Sequence, residues 1–105
     1  MLVNLTPHTV RVGNKEYPAS GQIARVSSEH VVSGQLDGVP VYSVIYGHIE
    51  NLPPESTEQI YIVSLLVLER GKSEGRSDLV APASGAPGVV RDEKGQIFSV
   101  PGFVK

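Results

Sequence analysis

The side chains able to do chemistry in this sequence are few and scattered. Its three histidines, His8, His30 and His48, show no His-x-His or H-E-x-x-H spacing. Cysteine is absent, which removes thiolate zinc sites, disulfides and cysteine nucleophiles together. A metal site would need ligands converging from distant segments, so each histidine reads as a turn or surface residue and no metal or cofactor is expected. Ser64 sits where a strand would give way to a helix, as a strand–turn–helix nucleophile does. That strained turn needs flanking glycines, and here Val63 and Leu65 flank the serine, so a helix N-cap is the stronger reading. Phosphate-loop spacing is missing as well, and Gly85-Ala86-Pro87-Gly88 has no basic neighbour.

Three polar groupings remain. Arg76 and Asp78 flank Ser77 just before the apolar Leu79-Val80. Arg91 and Asp92 adjoin in an otherwise apolar strand pattern, and strand neighbours point to opposite faces. On a one-sided sheet, one of the two would face the covered side or an interface and need a charged partner or a ligand. A structural ion pair, Arg91 with Asp78 or Arg76 with Asp92, would answer the same need. Asn4, Thr6 and His8 form the third group around Pro7, either as a turn bonding its own backbone or as donors and acceptors on a pocket rim.

The elements that must carry these residues are short. Leu2 to Leu5 and Thr9 to Val12 read as strands, with Gly13-Asn14 as a tight turn. Gln22 to Val26 reads as another strand, followed by a loop around Ser33-Gly34. Asp37-Gly38 suits a hairpin turn with positive φ, and Val39 to Tyr46 is rich in β-formers, with Pro40 near its start. Asn51 to Glu55 breaks the chain. Beyond it, Ser56 and Gln59 have capping-box spacing for one long helix. The β-branched Ile60 to Val63 instead favours a buried strand, Ser64 as N-cap, a helix over Leu65 to Arg70 and Gly71 at its end. Leu79 to Ala81, and a hairpin of Val89 to Asp92 with Ile97 to Val100, complete the pattern. The expected fold is α+β: a small single domain over residues 1–105, mainly antiparallel sheet with one short helix, or two.

Composition narrows the partners. Nine Lys and Arg against eleven Asp and Glu give a formal net charge of −2, which argues against binding DNA or RNA polymers through their phosphates. The N-terminus begins a strand pattern without a signal-peptide character, and Ile60 to Leu68 is too short for a membrane span. A soluble, cytoplasmic protein without a membrane partner is expected. At 105 residues the core is modest, so self-association into a homo-oligomer would help it.

The order of four motifs points to a family. Asn4-Leu5-Thr6-Pro7-His8, Tyr61-Ile62-Val63-Ser64, Arg76-Ser77-Asp78-Leu79-Val80-Ala81-Pro82 and Val90-Arg91-Asp92-Glu93-Lys94-Gly95 together resemble the type 1 Thoeris anti-defence proteins. These are phage-encoded sponges for cyclic nucleotide signals. The resemblance implies a non-catalytic binder that sequesters a glycocyclic ADP-ribose, assembles as a dimer or higher oligomer, and in some members also holds cyclic oligonucleotides. It places Arg91 and Asp92 at the family's ligand-contacting pair. Such a ligand carries a diphosphate, ribose hydroxyls and a purine. Arg91 or Arg76 would fit the phosphates and Asp92 or Asp78 the ribose. Phe103, Phe98 or Tyr46 would fit the base, with core packing the favoured role for Phe98.

Overall fold

A computed structural model describes residues 1–105. In chain order, β1 (Leu2–Asn4) leads to a hairpin of β2 (Val10–Val12) and β3 (Lys15–Tyr17), then to a long hairpin of β4 (Arg25–Leu36) and β5 (Val39–Glu50). After the break come β6 (Ile60–Ile62), α1 (Leu65–Ser73) and β7 (Leu79–Pro82). A third hairpin, β8 (Val90–Arg91) with β9 (Ile97–Ser99), precedes β10 (Phe103–Val104). The fold is α+β with one short helix.

All three hairpins are antiparallel, and so is the β7–β10 pair. The centre of the molecule differs. The four-stranded sheet runs β1-β6-β7-β10, and β6 pairs in parallel with both β1 and β7. Parallel neighbours need a crossover, and α1 supplies it between β6 and β7. Both faces of this sheet are covered, which is why Tyr61-Ile62-Val63 and Leu79-Val80-Ala81 are continuously apolar. Tyr61, Val63, Leu79 and Ala81 pack with Val67 and Leu68 of α1 on one face. Ile62 and Val80 pack with Val10 of β2 on the other.

Ser64 is the N-cap of α1, its hydroxyl accepting from the Val67 N–H at 3.3 Å, so the split reading of this stretch holds. The capping-box alternative has a local explanation. Ser56 Oγ accepts from the N–H groups of Glu58 and Gln59, both at 3.0 Å, and builds a turn. Asp37 and Gly38 take positive φ at 53° and 77° in the β4–β5 turn, as expected. Three expectations are corrected. Strand β4 begins at Arg25, so Gln22 to Ala24 lie outside any strand. Ser33-Gly34 is not a loop but an irregular step within β4, where the register shifts between Val32 and Gly34. Gly71 does not end the helix, which continues to Ser73; a Cβ there would collide with the buried Leu79 side chain, so close packing selects glycine. No helix is long and apolar enough to cross a membrane.

Arg76 and Asp78 pair with each other at the start of β7. Arg76 Nε and Nη2 each donate to one carboxylate oxygen at 2.9 Å, and the Ser56 N–H donates to Asp78 at 3.0 Å. Glu55 accepts from the Ser77 N–H and hydroxyl, so this pair ties residues 55 and 56 to the sheet. Burial alone would raise the pKa of Asp78, but the Arg76 hydrogen bonds and the Ser56 N–H outweigh it and hold it below its ordinary value. The hydrogen bond to Asp78 raises that of Arg76 against the opposing effect of burial. Because the folded-state pKa of Asp78 lies below the unfolded one, its contribution is complete above about pH 4 and is lost as the pH falls through the folded value. Urea denaturation from neutral pH to about pH 2 should show this acid loss. Asp78→Asn should be less stable at neutral pH and lose less on acidification; parallel curves would contradict the assignment.

Candidate functional site

The three parallel strands end on the same side of the sheet, and a cleft of about 320 Å³ opens there. Ligands in open α/β sheets settle outside the carboxyl ends of strands. The segment after β1 contributes Thr6 and His8, the segment after β6 contributes Ser64 and Leu65, and the end of β7 contributes Pro82 and Ser84. Thr9, Val10 and Arg11 close one side, and Ile97 to Val100 close another. The Val100 N–H donates to Arg11 O at 2.9 Å, holding β9 against β2.

The lining combines hydroxyls with one flat apolar wall. Thr6, Thr9, Ser64, Ser84 and Ser99 offer hydroxyls, and His8 an imidazole. Phe98 is half exposed, with the Arg11 guanidinium 4.7 Å from its ring centroid, a cation–π contact. Glu16 accepts from Arg11 Nε at 3.2 Å, which holds the guanidinium in place and leaves its other donors open. The Ser64 cap satisfies Val67; the earlier N–H groups of α1 lack intrahelical partners, as at every helix start. The cleft has no carboxylate in its lining. It is equipped to hold a flat, hydroxyl-bearing anion.

Asn4 sets the geometry of the Thr6–His8 wall. It is only 3% exposed, and both ends of its amide are used. Nδ2 donates to the carbonyls of His8 at 2.8 Å and Tyr17 at 2.7 Å. Oδ1 accepts from the Thr6 N–H at 2.9 Å and the Thr6 hydroxyl at 2.6 Å. Asn4 therefore acts beneath the cleft as the turn-builder, while Thr6 and His8 reach its lining. The turn reading holds for Asn4 and Thr6; Thr6 and His8 lie in the cleft lining and Asn4 does not.

The other sequence candidates are not gathered into the cleft. Arg76 and Asp78 bond each other at the opposite, amino end of β7, and Asp78 is 2% exposed. Neither anticipated cross-pair forms: Arg76 takes Asp78, and Arg91 Nη1 donates to Gly95 O at 2.8 Å. Both Arg91 and Asp92 are exposed, so neither faces a covered side within the chain. Asp92 Oδ1 accepts from the N–H groups of Lys94 at 2.9 Å and Gln96 at 3.0 Å, shaping the turn. Arg91 still stands directly across the hairpin from Ile97, a cleft residue, which puts it beside the rim. Phe103, for which core and ligand roles stood level, packs against Tyr17 with ring centroids 5.9 Å apart, while Phe98, expected in the core, lines the cleft.

Arg11, Ser84, Ser99 and Leu65 had no sequence signal. Ser64 had one, but as a cap only; its place at the cleft follows from the parallel pairing of β6. No family model matches the chain, and neither does any curated protein or solved structure. Asn4→Asp tests the wall directly. A carboxylate keeps the acceptor but sets negative charge against the His8 and Tyr17 carbonyls, and should cost about 2–4 kcal/mol. Urea denaturation measures it; a loss below about 0.5 kcal/mol, within the range of ordinary surface substitutions, would contradict the role.

Proposed function

We propose that this protein binds a cyclic nucleotide-type signal of the glycocyclic ADP-ribose class, with cyclic oligonucleotides as further ligands, and sequesters it without cleavage, thereby blocking antiphage signalling. The observation that carries this reading is the Arg11–Phe98 wall facing hydroxyls at the carboxyl ends of parallel strands. In this reading the purine lies on the Phe98 ring, where base–aromatic stacking contributes about 1–3 kcal/mol. The diphosphate pairs with the Arg11 guanidinium and with Arg91, which spends one donor on Gly95 and has others to turn inward. Thr6, Ser64, Ser84 and Ser99 meet the ribose hydroxyls.

Sequestration rather than turnover is supported by the lining. His8 has no carboxylate beside it in the cleft to orient it as a general base. The resemblance of its motif order to that of type 1 Thoeris anti-defence proteins supports the same class of ligand. A net charge of −2 is compatible with it, since a compact anion needs only one or two placed arginines.

Isothermal titration with cyclic ADP-ribose isomers and cyclic di- and trinucleotides tests the reading. At least one should bind, and should be recovered intact after the protein is denatured. Arg11→Ala and Phe98→Ala should each weaken binding by roughly tenfold or more, consistent with losing a charge-assisted bond or a stacking surface. No heat with any of these ligands, or conversion of the bound ligand, would overturn it.

A further inference from the structure

The long β4–β5 hairpin is built unlike the rest of the molecule. Each strand has twelve residues, roughly 40 Å of extended chain, and the two pair only with each other. Only the base is anchored: Val26 and Ile49 pack on the main core. The radius of gyration is 16.1 Å, against about 13 Å for a compact chain of this length.

The arm is exposed yet nearly uncharged. Between His30 and Ile49, Asp37 at the turn is the sole Asp, Glu, Lys or Arg. The pairs Val32↔Tyr42, His30↔Val44 and Ser28↔Tyr46 share one face, where His30 and Tyr42 meet edge-on at 6.3 Å. Tyr42 is 55% exposed, Tyr46 47%, Val32 59% and Val44 41%. Ile45 and Val31 are exposed on the opposite face, and Leu36 and Val39 near the tip. Edge strands that stay in water carry lysines or other charges to prevent pairing; here the charges sit at Arg25, Glu29 and Glu50 near the base and Asp37 at the turn, and the ladder between has none.

The geometry points to a self-association arm, whose partner is the same hairpin of a second copy of this chain. A lone two-stranded hairpin is marginal in water, whereas two of them side by side or face to face complete a four-stranded unit. On that one face Val32, Tyr42, Val44 and Tyr46 expose on the order of 400 Å² of apolar surface per copy, in keeping with the roughly half-apolar character of a standard interface of about 800 Å² per partner. A different protein would ordinarily be selected by complementary charge, which the Tyr42–Tyr46 face lacks. A twofold contact between identical uncharged faces needs no such complement. This inference stands whether or not the nucleotide reading does.

Sedimentation equilibrium of the full chain over a concentration series tests it. The expected result is a reversible dimer of twice the 11.2 kDa chain mass. The pair Val32→Lys with Tyr42→Glu puts opposite charges across one rung of the ladder, which supports the isolated hairpin while opposing burial between copies. It should raise the dissociation constant roughly tenfold or more with the circular dichroism unchanged. Should that variant not fold, hydrogen exchange on the unaltered chain gives the same test. Amides of residues 25–50 should be protected at high concentration and exchange faster on dilution. A single-chain mass at every concentration would assign the arm to some other partner and overturn the proposal. So would a dimer that leaves those amides unprotected.

Discussion

The side-chain amide of Asn4 is the constraint on which the geometry of the cleft depends. One group satisfies two carbonyls from different segments, those of His8 and Tyr17, and takes both donors of Thr6. At 3% exposure it has little water to fall back on, so each bond lost would leave a polar group stranded. The network joins the end of β1 to the first hairpin. That hairpin carries Arg11, and Arg11 in turn meets Phe98 of β9. A buried amide thus positions, through two further contacts, the charge and the ring that define the cleft wall.

The parallel centre of the sheet does the complementary work. Two parallel pairs around β6 bring three strand ends and the start of α1 to one side. A chain of 105 residues can therefore gather hydroxyls from three distant segments without a large core. The opposite end of β7 is devoted to stability. There the Arg76–Asp78 pair and Glu55 fasten the irregular segment that precedes β6. The cleft and the fastening pair thus lie at opposite ends of one strand.

Features decided locally were legible in the sequence. Asp37-Gly38 formed its positive-φ turn because no distant contact overrides it. Ser64 became a cap because β-branched residues before it and leucines after it prefer different backbones. Features decided by distant pairing were not. Nothing in Leu2 to Asn4 specifies parallel pairing with Ile60 to Ile62, and the cleft exists only because of it. Burial of Arg91 or Asp92 would require a sheet covered on one side. Their hairpin is exposed at both residues, so alternation imposed no burial, and Asp92 serves its own turn. The two phenylalanines look alike in sequence; Tyr17 across from Phe103 and Arg11 across from Phe98 decide which is packed and which is presented.

Amide NMR of the labelled protein during titration with cyclic ADP-ribose isomers and cyclic oligonucleotides asks whether the cleft at the strand ends holds a small ligand. Saturable shifts are expected at Thr6, His8, Arg11, Leu65, Ser84 and Phe98, with the amides of Arg76 and Asp78 unmoved. Shifts centred on the Arg76–Asp78 end, or none at the cleft with a ligand that demonstrably binds, would contradict a ligand site in the cleft.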